Sequence, residues 1–141
     1  MTFQLHPVLE RDCIALGRFQ LCRLLLMNDR QFPWFILVPE QDAVSEIYQL
    51  NTADRQRLIE ESSRLAETLA RIYRADKMNV AMIGNLVPQL HLHHVVRYRD
   101  DIAWPLPVWG KFPAVPYTEQ QIAEICITLQ KQFSGKLTAI A

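Results

Sequence analysis

The sequence lacks any apolar run approaching the ~18 residues needed to cross a bilayer, and its opening stretch, MTFQLHPVLERD, has neither a basic start nor a continuous apolar segment. It therefore reads as having no membrane span and no secretion signal. An excess of charge is missing too, since 15 Lys and Arg balance 15 Asp and Glu. Without a positive field, bulk binding to nucleic acid or to an anionic membrane is excluded as a main role. Any phosphate recognition has to come from a local site. Cysteine is sparse: Cys13, Cys22 and Cys126 form an odd, widely spaced set among apolar neighbours. They read as small buried hydrophobes of a reducing compartment, and the expected location is the cytoplasm. A Cys13–Cys22 disulfide across adjacent strands is the lesser alternative. Glycine is scarce, at 4 against 8 prolines, and neither an internal repeat nor a low-complexity segment occurs.

What is present is a chain of 141 residues, half of them apolar, enough for one compact domain that buries roughly two-thirds of its unfolded surface. Residues 13–26 (CIALGRFQLCRLLL) predict two strands joined by a tight turn around Gly17-Arg18. A loop, MNDRQFP, precedes a buried strand over Trp34–Val38 that Pro39 ends, and Asp42 is placed to cap a short helix over Ala43–Tyr48. The strongest helix signal spans Thr52–Arg74, where Leu58, Ser62, Leu65, Leu69, Ile72 and Tyr73 share a face. Strands are predicted at Met78–Ile83 and Gln89–Tyr98, separated by a turn at Gly84-Asn85. Residues 100–117 hold Pro105, Pro107, Pro113 and Pro116 with Trp104 and Trp109, and read as a long ordered arm. Thr118 and Gln121 form a capping box for a last helix with Ile122, Ile125, Cys126, Leu129 and Phe133 on its apolar stripe. The core is expected over about 11–133 of a single domain covering 1–141, with the tail from Ser134 loosely held. With no regular βαβ alternation, the expected class is α+β: a mainly antiparallel sheet of about five strands with one long helix, a C-terminal helix, and the helices on one face.

Three of the four histidines fall within Gln89-Leu90-His91-Leu92-His93-His94-Val95-Val96. On a strand, alternate residues share a face, so Gln89, His91, His93 and Val95 point one way and Leu90, Leu92, His94 and Val96 the other. A polar face of this kind suits a pocket. A neutral imidazole is a good nucleophile near pH 7 and, protonated, a donor to phosphate oxygens. Attack on phosphorus would form a phosphoramidate and divide one hard displacement into two easier ones. The same spacing resembles a pair of metal ligands, but zinc needs a third or fourth, and His6 is the only other histidine. Histidines that only hydrogen-bond within a partly exposed sheet are the plainer reading.

The run Gly84-Asn85-Leu86-Val87-Pro88-Gln89-Leu90-His91-Leu92-His93-His94-Val95-Val96-Arg97, followed by Trp104-Pro105-Leu106-Pro107-Val108-Trp109-Gly110 and preceded by Met27-Asn28-Asp29-Arg30-Gln31-Phe32-Pro33-Trp34, resembles a bacterial branch of the histidine triad (HIT) superfamily. The resemblance extends over approximately Arg11 to Phe133. It implies a HIT-like fold, a homodimer joined through a helix and a sheet edge, and hydrolysis or transfer at a nucleotide α-phosphate. The family pattern His-φ-His-φ-His-φ-φ, φ being apolar, places the nucleophile at His91 and a phosphate-contacting group at His93. Its first histidine is replaced here by Gln89, an amide that donates and accepts without titrating. A register starting at His91 would put Val95 where a phosphate contact belongs. His94 then reads as a substitution on the back face.

The resemblance further implies substrate contacts from Asn79 and Asn85 to phosphate or leaving group, and from Asn28 or Asp29 to ribose hydroxyls. Arg97, and Arg99 beyond it, share the parity of His91 and could face distal phosphates or simply pair with Asp100 or Asp101. Trp34 could line a base pocket or belong to the core. Trp104 and Trp109 could cover the site, face the dimer partner, or only pack. His6, without a partner in sequence, reads as a surface residue. No cofactor and no metal are implied; the partners expected are a nucleotide substrate (a dinucleoside polyphosphate or a phosphoramidate) and a second copy of the chain. The rival readings are a nucleotide-binding regulatory dimer that Gln89 has weakened as an enzyme, and a metal-binding domain using His91 and His93.

Overall fold

The computed structural model describes residues 2–140. The chain forms helix α1 (Pro7–Asp12), strands β1 (Cys13–Arg18), β2 (Cys22–Met27) and β3 (Trp34–Pro39), helix α2 (Thr52–Tyr73), strands β4 (Lys77–Ala81) and β5 (Leu92–Arg97), and helix α3 (Glu119–Gln132). The strands make one antiparallel sheet in the order β1-β2-β3-β5-β4. The α+β class and the five-stranded antiparallel sheet are as the sequence predicts.

Both faces of this sheet are covered. Phe35 and Leu37 alternate with Trp34, Ile36 and Val38 along β3, and all five are buried. Phe35 and Leu37, with Leu92 and Val96 of β5, pack on Leu58, Leu65 and Leu69 of α2 and Leu129 of α3. Each such side chain adds about 1.5–3 kcal/mol relative to exposure. Trp34, Ile36 and Val95 pack instead under Leu9 of α1 and under Ala103 and Val108 of the proline-rich arm. Helices on one face therefore describes α2 and α3 only. The short α1 and the arm close the other side. The core also reaches beyond its expected N-terminal limit, because Phe3, Leu5 and Val8 pack against the same front cluster.

Several predicted boundaries move for identifiable reasons. The β1–β2 turn is at Phe19–Leu21, not at Gly17-Arg18. Gly17 lies in a bulge of β1, and a Cβ there would meet the Thr138 carbonyl at 2.7 Å. The glycine thus admits the C-terminal segment: Arg18 and Thr138 exchange two backbone hydrogen bonds of 2.9 Å, and Leu137 is buried. The tail expected to be loose from Ser134 is docked (Ala141 lies outside the described residues). The short helix predicted over Ala43–Tyr48 is only a 3₁₀ turn, Ile47–Gln49. α2 and α3 form as predicted, the first capped by the Asn51 amide oxygen on the Asp54 N–H and the second by the reciprocal Thr118–Gln121 box. β4 occupies Lys77–Ala81 where Met78–Ile83 was predicted, and β5 is shorter than Gln89–Tyr98. Pro39, opposite Leu90 in the extended register, has no N–H for a longer ladder, and the Leu90 N–H turns to the Val44 carbonyl. The cysteines are all free; Cys13 pairs with Met27 at one end of the β1–β2 hairpin while Cys22 lies at the other.

Candidate active site

The β3–β5 register sets Ile36 opposite His93 and Phe35 opposite His94. His93 consequently belongs to the front of the sheet and His94 to the back. On the back, His94 is fully buried: its Nε2 is 2.7 Å from the Ser62 hydroxyl of α2 and its Nδ1 is 3.1 Å from the Leu92 carbonyl. With Nδ1–H donating to the carbonyl, Nε2 accepts from Ser62. Burial pushes this ring's pKa down to about 4, against the smaller upward pull of the Leu92 and Phe35 carbonyls. His94 ties α2 to β5 and is not part of a site.

On the front, the Trp34 indole N–H donates to His93 Nδ1 at 2.9 Å. With Nδ1 an acceptor, the proton of the neutral ring is on Nε2. The ring stands 5.2 Å from Trp109 and 4.9 Å from His91, both edge to face. Burial, then the charges of His91 and His94, push the His93 pKa down to about 3. It is a neutral N–H donor throughout the physiological range. His91, just before β5, has the opposite tautomer. Its Nδ1–H donates to the Gln89 carbonyl at 2.7 Å, which leaves an Nε2 lone pair. Burial holds the His91 pKa below the ordinary histidine value; the Gln89 carbonyl pulls upward and the charge of His6 pulls down. The result is a neutral ring with a nucleophilic nitrogen, beside a second ring with a fixed N–H.

His91 borders a small cleft of about 40 Å³ shared with Ser45, Glu46, Met82, Ile83, Gly84, Pro88, Gln89 and Leu90. This is far below the ~300–1,000 Å³ of pockets that enclose whole ligands, so the cleft suits a phosphoryl group rather than an enclosed nucleotide. A larger depression, about 500 Å³, lies elsewhere, between Phe19, Arg57, Phe133 and Lys136, and contains none of the histidines.

The other predicted site residues divide. Gln89 adjoins His91 as expected, yet its side chain is turned to the N-terminal segment, accepting from the His6 N–H at 2.8 Å and donating to the Gln4 carbonyl at 2.9 Å. Only its backbone carbonyl bonds the His91 ring. Arg97 is corrected from a phosphate ligand to a structural group: it is 1% exposed, forked onto Asp101 at 2.8 and 3.0 Å, and donates to the Asn79 side-chain Oδ1 at 2.8 Å. The rings of Trp104 and Phe32 cover its guanidinium. Asn79 is thereby engaged as well. Arg99 pairs loosely with Asp76 on the surface. Trp34 is corrected from the base pocket to the core, where it positions His93.

Asn28 accepts from the Tyr117 N–H, and Asp29 from Gln31 and the Val115 N–H, so both fasten the proline-rich arm to the β2–β3 loop. Asn85 is exposed beside Gly84. Sequence reasoning missed Ser45 and Glu46, whose segment carries no motif. It also missed His6, which belongs to this region rather than to an isolated surface. Among the described residues no group of three or more His, Cys, Asp or Glu is arranged to hold a metal, and no helix is long and apolar enough to cross a membrane.

A family model of the HIT domain matches residues 8–100. Among solved structures, the chain is similar to a histidine triad protein from Marinobacter aquaeolei VT8, at 54% identity and a TM-score of 0.91 over 94% of this chain and 96% of that one. A histidine triad (HIT) protein from Sinorhizobium meliloti 1021 is 38% identical with a TM-score of 0.91, covering 93% and 97%. A histidine triad protein from Bradyrhizobium japonicum is 35% identical with a TM-score of 0.91, covering 94% and 98%. No curated protein matches.

Proposed function

This chain belongs to the HIT domain family, and from that premise we propose that it is a nucleotide hydrolase or nucleotidyl transferase acting at an α-phosphate, with His91 as the nucleophile. Family membership supports a nucleotide-directed hydrolase or transferase in general terms. The observation that carries the finer reading is the complementary tautomer pair, His91 with Nε2 unprotonated and His93 with Nε2–H.

His91 Nε2 attacks the α-phosphorus, a P–N bond forms, and the bond to the leaving group breaks with its electron pair departing on that group. The ring becomes an imidazolium, whose charge the Gln89 carbonyl stabilises through Nδ1–H. His93 Nε2–H donates to a non-bridging oxygen as charge accumulates there. Water then attacks phosphorus, displaces His91, and gives up its proton to solvent. Dinucleoside polyphosphates and nucleoside phosphoramidates are the substrate types this step fits. The working unit we propose is a cytoplasmic homodimer. β4 offers a sheet edge for it, with no strand paired beyond it among the described residues and with Val80, Met82 and Ile83 exposed.

The test is incubation with an adenosine phosphoramidate or a diadenosine polyphosphate, followed by alkaline denaturing quench and peptide mass analysis. An adenylyl adduct on His91, absent along with turnover in His91→Ala, is the expected result. Activity surviving in His91→Ala while His93→Ala is dead would move the nucleophile to His93. The replacement of the first histidine by Gln89 favours a second reading, a nucleotide-binding regulatory dimer. Tight nucleotide binding without product from the wild-type protein would select it.

A further inference from the structure

The first position of the histidine pattern is occupied by Gln89, and its side chain does not face the nucleophile. Both ends of the amide are used on the N-terminal segment, with Oε1 accepting from His6 and Nε2 donating to Gln4. The amide thus imitates a peptide group and pairs with the backbone on either side of Leu5, as a neighbouring strand would. The segment it holds ends at His6, the N-cap of α1. The imidazole accepts the Val8 N–H on Nδ1 at 3.1 Å. That bond fixes the ring and puts the proton of its neutral form on Nε2, which has no acceptor among the described residues. His6 is half-buried, and its charge is felt at His91.

We infer that His6 is the third imidazole of this site, delivered by the N-terminal segment and held there by Gln89, and that its Nε2–H is a donor to the phosphoryl oxygens of the substrate. The inference rests on His91 being the nucleophile. In an in-line displacement the leaving group is on the far side of phosphorus, so donors flanking the nucleophile meet the three equatorial oxygens. His93 stands beside His91 at 4.9 Å, and the His6 backbone is bonded to the side chain of Gln89, two residues before His91. A glutamine in the first position is then not a gap in the constellation but the clamp for a histidine from elsewhere in the chain.

The test separates helix capping from phosphate contact. Asparagine caps helices well but is too short to carry a donor as far as the imidazole. In the full chain, His6→Asn is expected to keep the wild-type melting temperature, to weaken AMP binding by about tenfold in calorimetry, and to lower kcat by a similar factor, as loss of one hydrogen bond to a charged group predicts. Because the charge of His6 lowers the His91 pKa, the His91 NMR titration should also move upward in His6→Asn. Gln89→Ala should reproduce these losses, and the double variant should lose little more than either alone. AMP affinity and kcat unchanged in His6→Asn would overturn the inference, as would fully additive losses. AMP binding is read without turnover, so a wild-type protein inactive on every substrate would refute the hydrolase reading while still testing His6.

Discussion

On the front of β5, His93 takes a hydrogen bond from Trp34 and stands beside His91; on the back, His94, the next residue, is closed between Ser62 and the Leu92 carbonyl. Burial keeps both rings neutral, to pKa values of about 3 and 4. They differ in what remains free. His94 has both nitrogens occupied by protein, whereas His93 retains an N–H. Strand parity sends the two rings to opposite faces, and the partner met on each face decides whether the ring is a fastener or a reagent.

The largest break in that comparison should come from His93→Ala. Loss of a preorganised donor to a developing oxyanion is expected to lower kcat per folded molecule by about 10²–10³-fold, beside a loss of stability because the buried Trp34 N–H is left without its acceptor; steady-state kinetics beside a melting curve separates the two. His94→Ala should touch stability alone. It opens a cavity and strands the Ser62 hydroxyl, at a cost of about 2–4 kcal/mol, while kcat per folded molecule stays at the wild-type level.

The same residue predicts an acid dependence. The folded His94 pKa of about 4 is below the unfolded value of about 6.5, so the unfolded chain binds more protons between the two. His94's share of stability is whole above pH ~6.5 and is lost as pH falls towards 4, on the order of 3 kcal/mol. Denaturant melts should show wild type losing more stability between pH 7 and pH 5 than His94→Val does. Equal losses would mean that this ring is not the acid-sensitive group. The smallest effect sharpens the front face: Trp34→Phe keeps the ring but removes the N–H that sets the His93 tautomer, and kcat should fall by about five- to tenfold. An unchanged kcat would show that packing against Trp109 suffices to orient His93.

Much of this architecture was legible along the chain, for local reasons. The i, i+3, i+4 stripe from Leu58 to Leu69 has one amphipathic solution, and the Thr118–Gln121 box announces a helix start within four residues. His91, His93 and His94 could be sorted by parity alone, and the structure keeps that sorting. The misreadings share a different cause. Arg97 has the parity of a phosphate ligand, but Asp101 and Asn79 reach it first from the arm and from β4. Trp34 is core, as a strand-start aromatic often is, yet its N–H direction depends on the β3–β5 register. The loose tail was misjudged because Gly17, which admits Thr138, is far from it in sequence.

The sequence by itself determined the period of each element, the opposite facing of neighbouring histidines and the family motif, because these depend on backbone repeat and residue order. Tertiary structure alone decided which nitrogen of each ring carries the proton, which polar groups were already taken, and that the His6 backbone comes to the side chain of Gln89. Tautomer and pKa are set by the nearest partner and by exclusion of water, and those partners come from Trp34, Ser62 and the N-terminal segment, remote in the chain and adjacent only once it has folded.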